Sequence, residues 1–168
     1  MTRPEPQHFT ANLFTLLQET FEEGGSYYLD KGAGLFPTLE AITPEVASRS
    51  PWDGAPSIAA HCAHLGYYLR ANHNVIVGRE QPLDWPASWQ VQRVGAAEWE
   101  ALRSQLRLEY DELRASLNTL PAWSDAAVAD SLAIVAHTAY HLGAIRQIRR
   151  SLQVQTRHFI AAPETPPN

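Results

Sequence analysis

The chain has 168 residues, 45% hydrophobic and 18% charged, and 13 Lys+Arg against 18 Asp+Glu leave a formal net charge of -5. That length suits one domain with a sizeable buried core, and that charge argues against nucleic acid as a partner. With Cys62 as the sole cysteine, no apolar signal core in MTRPEPQHFT and no apolar run of bilayer length, the expectation is a soluble cytoplasmic protein without a membrane partner.

Helical spacing dominates and strand signals are weak. Phe9, Leu13, Leu16, Leu17 and Phe21 outline a first helix that stops near Gly24-Gly25. Between there and Pro56, Gly and Pro forbid one continuous helix, although LFPTLEAI and PEVAS suit short turns. A second helix begins at Ser57 as N-cap, runs to about Gly78, and carries Ile58, Cys62, Leu65, Leu69 and Ile76 as its stripe. QPLDWPASWQVQRVG makes a second irregular connection, in which Trp85 and Trp89, like Trp52 earlier, read as plugs for the core. Trp99, Leu102, Leu106, Tyr110, Leu113 and Leu117 define a third helix ended by Pro121, its Glu and Arg residues forming a solvated surface. The last helix spans about Asp125 to Gln153. Four long amphipathic helices without repeats predict an all-α four-helix bundle. It is a single domain over 1–168, with its core at about 9–153 and a frayed tail at 155–168. The long first connection leaves room for a crossover.

Chemistry concentrates in the last helix. Ile134, His137, His141, Ile145, Ile148 and Leu152 step by three or four residues, so two histidines occupy core positions of one seam. Leu132, Val135, Ala139 and Leu142 make a second seam beside it. An imidazole buried without partners costs about 1–3 kcal/mol. Residues at i and i+4 start about 5–6 Å apart at Cβ, and zinc holds two imidazole nitrogens about 3.4 Å apart, so a metal ion would satisfy both rings. On spacing alone, hydrogen-bonded histidines are the commoner explanation. The second helix adds His61 and His64 in SIAAHCAHLGYYL. His61 lies about 60° from the centre of that helix's apolar stripe and His64 about 120°, so periodicity favours His61 as a third imidazole and turns His64 toward solvent.

At these residues the sequence resembles the DinB/YfiT-like metalloenzyme family, which is unrelated to the DNA polymerase sharing the first label. Ser57-Ile58 followed by His64-Leu65 matches its second-helix motif, and His137, His141, Gly143 and Ile145 match its fourth-helix motif. The likeness covers roughly residues 9 to 153, including Trp52 and the run Arg146-Gln147-Ile148. Ala144 departs from it, because many members carry glutamine there. The resemblance implies a four-helix bundle with His64, His137 and His141 as ligands of a divalent metal, and a homodimer paired through helix faces; zinc or nickel is the ion expected, although three histidines do not separate the first-row ions. His64 then takes precedence over His61, which becomes a pocket residue beside the ligands.

Three neutral imidazoles leave a coordination position open for water or a thiolate, so the expected chemistry is metal-dependent hydrolysis or thiol transfer on a small molecule. The resemblance agrees, since characterised relatives include thiol-dependent transferases and isomerases. The competing readings are a non-enzymatic metal-binding bundle and a plain helical dimerisation module. The catalytic base is unassigned, because no carboxylate lies within one turn on the histidine seam. Tyr68 and Tyr140 read as packing residues, and Cys62 as a buried inert thiol. Arg146, Arg149, Arg150 and Arg157 read as cations near a helix C-terminus. His8, His73 and His158 read as surface residues.

Overall fold

The computed structural model describes residues 6–25 and 27–161, and side chains for 8–25 and 27–154. Among these residues the protein is all-helical: α1 (Pro6–Phe21), α2 (Leu35–Glu40), α3 (Pro44–Ala47), α4 (Ile58–Ile76), α5 (Ala96–Asn118) and α6 (Asp125–Ala161), with a 3-10 turn at Pro86–Trp89. All four long helices expected from the sequence form, and the two short ones fall in the first connection. No helix among the described residues is long and apolar enough to cross a membrane.

α4 organises the packing. It lies against α5, α6, α3 and the 3-10 turn, while α1 packs on α6 and α2. Its start is fixed by Ser57, whose hydroxyl accepts the Ala60 N–H at 3.2 Å, satisfying an amide that has no carbonyl one turn back. Because α4 has helices on several sides, Ile58 to Cys62 and His64 to Gly66 are all buried. A one-face wheel cannot describe such a helix, which is why His64 is only 7% exposed rather than turned to solvent.

The first connection is tied down by side chains. Trp99 of α5 donates its indole N–H to the Ile42 carbonyl at 2.9 Å. Phe21 stacks on Tyr110 with ring centroids 4.2 Å apart, and Phe36 meets Tyr110 edge-on. The buried Glu19 carboxylate accepts the backbone N–H groups of Tyr27, Tyr28 and Leu29 at 2.8–2.9 Å. Gly34 is required by close approach, since a Cβ there would sit 2.2 Å from the Glu22 carbonyl oxygen.

Several expectations need correction. α6 continues past Gln153 to Ala161, and residues 162–168 of the expected frayed tail lie outside the described residues. Leu132 is exposed, so the second seam of α6 buries Leu142 but not its first member. The face of α5 read as wholly solvated buries Glu109 at 3% exposure. Its carboxylate takes Arg70 at 3.0 Å and Gln105 at 2.7 Å. His73 is buried rather than on the surface, with Nδ1 3.6 Å from Glu112, because α5 covers the later turns of α4. His8 is exposed as expected; the side chains of Arg157 and His158 lie outside the described residues.

Candidate metal centre

α4 and α6 bring together the histidines that the sequence left on separate elements. His64, His137 and His141 form a group whose candidate ligand nitrogens all lie within 4.8 Å of one another. The Nε2 atoms of His64 and His137 are 3.2 Å apart, close to the nitrogen–nitrogen spacing of about 3.4 Å that a tetrahedral zinc imposes. His61 stands beside this group: its Nδ1 is 2.8 Å from Nδ1 of His141, so one ring donates N–H to the other's lone pair. His141 and His61 are buried and His137 half-buried.

The protonation pattern of His64 can be derived. Ser88 carries one hydroxyl proton, which it donates to the Trp85 carbonyl oxygen at 2.6 Å. His64 Nδ1 lies 2.7 Å from that same hydroxyl oxygen, so the imidazole must be the donor and the oxygen the acceptor. The proton of His64 therefore resides on Nδ1, and the lone pair on Nε2 faces His137. A ring held this way presents the form a metal ion needs.

Electrostatics agree with neutral rings. Burial, followed by repulsion from His137 and His61, lowers the His64 pKa from 6.5 to about 4. Burial and then His137, His61 and His64 lower His141 to about 3. Burial lowers His61 and His137 as well. All four rings are neutral near pH 7 and offer lone pairs.

Aromatic rings hold the imidazoles in place. Trp89 stacks on His64 with centroids 4.1 Å apart, and Tyr68 stacks on His137 at 3.8 Å. The histidines border a cavity of about 610 Å³ whose walls include Trp52, Trp89, Tyr140, Ala144 and Ile148. The tryptophans therefore do not plug the core. Trp52 is 70% exposed beside this cavity, Trp85 is 39% exposed, and Trp89 covers the site histidines. Tyr140, expected to pack, is likewise 70% exposed and meets His141 edge-on at the cavity. Cys62 is buried away from this cavity, and burial pushes its thiol pKa up, which keeps it protonated.

Sequence reading missed Ser88. Its signal was faint: a serine after Pro86 in a connection without periodicity, where only the fold brings the hydroxyl to His64. Comparisons with protein-family models, curated proteins and solved structures give no match. The geometry of the histidine cluster is therefore what bears on function.

Proposed function

We propose that the protein is a DinB/YfiT-like four-helix bundle that binds a divalent metal ion through His64, His137 and His141, and that it works in the cytoplasm as a metal-dependent enzyme. The observation that carries this reading is the pair of Nε2 atoms 3.2 Å apart, one of them with its lone pair fixed by Ser88. Packing alone gives no reason to gather three neutral imidazoles at a cavity. A donor set of three borderline-soft nitrogens suits zinc or nickel better than magnesium or calcium.

Each neighbouring residue has a task in this reading. Ser88 orients His64, and a His141 ring that donates from Nδ1 to His61 keeps the lone pair of its Nε2 for the ion. Trp89 excludes water from one side of His64, and Trp52 and Tyr140 line the cavity through which a small molecule reaches the histidines. An ion held by three neutral ligands keeps its full charge and, when bound, supplies Lewis acidity toward water or a thiol.

The cavity lining favours thiol chemistry. Its polar members besides the histidines are Tyr140, Gln147, Ser151 and the Trp52 and Trp89 indoles, with no Asp or Glu among the described residues. Hydrolysis commonly enlists a carboxylate to move the proton of water. A thiol is already acidic and needs little more than a nearby cation to ionise. Thiol-dependent transfer is therefore the reaction this lining supports best, with hydrolysis second.

The test is elemental analysis of protein purified without an affinity tag, followed by zinc and nickel titration. One equivalent of metal is expected in the wild type and less than about a tenth in the His137→Ala/His141→Ala variant, with helicity retained. Absence of saturable binding in the wild type would sink the reading. Metal loss that unfolds the protein would favour a structural ion over an enzymatic one.

A further inference from the structure

Arg146, Arg149 and Arg150 of α6 do not cap a helix end. Ala161 lies roughly three turns beyond Arg150, and the helix dipole acts only on the last turn, so the dipole does not explain Arg146, Arg149 and Arg150. These three instead share a cleft of about 780 Å³ with Lys31, on a different face of α6 from the histidines. Asp30 is the one acidic residue lining it. Among the described residues none of the four cations has an ion-pair partner, whereas Arg70 pairs with Glu109, Arg103 with Glu100, and Arg107 covers the Phe36 ring. Four unneutralised cations around one concavity stand out in a chain of net charge -5.

The cleft is also built rather than incidental. Its second wall is the segment from Asp30 to Thr38, and that wall is held by the Glu19 carboxylate on the N–H groups of Tyr27 to Leu29 and by the Gly34 contact with Glu22. Lys31 is thus presented to the arginines from a pinned loop. Gly143 leaves the floor open, since a Cβ there would meet nothing within 4 Å.

We propose that this cleft binds a small-molecule anion carrying at least two negative charges, of phosphate or carboxylate type. Arginine forks and a lysine ammonium recognise both groups through charge-assisted hydrogen bonds, and a concave site favours a discrete ligand over an extended polyanion. The binding is independent of the metal centre.

Calorimetric titration of the full chain with inorganic phosphate and with succinate tests it. Saturable one-to-one binding of at least one probe is expected. It should weaken by about tenfold or more in Arg146→Gln/Arg150→Gln, whose sites are exposed and spare the fold, and tighten in Asp30→Asn. Arg79→Gln, away from the cleft, should bind as the wild type, and metal content should stay unchanged throughout. No saturable binding of either probe, or equal binding by the double variant, would overturn the proposal. So would sedimentation with phosphatidylglycerol vesicles in the absence of phosphate or succinate binding, which would make the patch a membrane contact.

Discussion

Along α4, the side facing α5 and the side facing α6 both bury polar groups, Glu109 and His73 on one and His61 and His64 on the other, but answer them with different partners. Toward α5, Arg70 meets the Glu109 carboxylate and His73 approaches Glu112. Toward α6 and the 3-10 turn, His61 and His64 meet His141, His137 and Ser88. A carboxylate partner closes an interaction, because acceptor and donor are fixed by charge. An imidazole partner leaves it open, because each ring is both donor and acceptor and its lone pair can serve a third party. One helix thereby supplies a structural seam on one side and a candidate site on the other.

Acid should separate the two sides most strongly. His64 and His141 are held near 4 and 3, against 6.5 for an ordinary histidine, first by burial and then by neighbouring rings. Between those values the unfolded chain takes up protons that the folded chain refuses, so folding stability is full above about pH 6.5 and is lost as pH falls. The melting temperature of metal-free protein is expected to drop steeply between about pH 7 and about pH 5, before most carboxylates titrate. Replacing His141 with leucine should flatten that slope. A melting temperature indifferent to pH over this window would show that the imidazole side carries no such penalty.

The carboxylate side is probed by Glu109→Ala. That change removes the acceptor of Arg70 and Gln105 from a buried position. The Arg70 side chain is 44% exposed, so water takes over part of its charge, and a loss of about 2 kcal/mol in urea unfolding is expected. Zinc affinity should not change. A Glu109 variant that also lost metal would join the two sides into one network and end the comparison.

Legibility in the sequence followed the number of faces each helix buries. α5 was readable because Trp99, Leu106, Tyr110, Leu113 and Leu117 form a single buried stripe, and a single stripe is what a 3.6-residue period encodes. His137 and His141 were readable for the same reason, as members of the seam running from Ile134 to Leu152. The wheel failed on α4, where burial on several sides makes the angular argument against His64 void, and the fold sets that residue beside His137 and His141. Ser88, Trp89 and Trp52 act from connections, and no period marks which loop residue a fold will bring onto an imidazole. Arg146, Arg149 and Arg150 look like C-terminal cations only if α6 ends near Gln153; the helix continues to Ala161, and a helix end located too early turns a cleft wall into an apparent cap.

The smallest expected effect is the sharpest test of why the imidazole side is open. In Ser88→Ala, His64 Nδ1 loses the acceptor that holds its proton, while stacking on Trp89 keeps the ring in place. The tautomer with the proton on Nε2 then competes, and that form has no lone pair facing His137. Zinc affinity measured by chelator competition should fall about tenfold, the lower end of what partners of metal-bound histidines contribute, with little change in melting temperature of the metal-free protein. Ser88→Thr keeps the hydroxyl and should restore most of the affinity, which separates loss of the acceptor from disturbance of the turn. Equal affinity in wild type and Ser88→Ala would mean that His64 is oriented by its aromatic neighbours alone, and that the hydroxyl merely closes the 3-10 turn onto the Trp85 carbonyl.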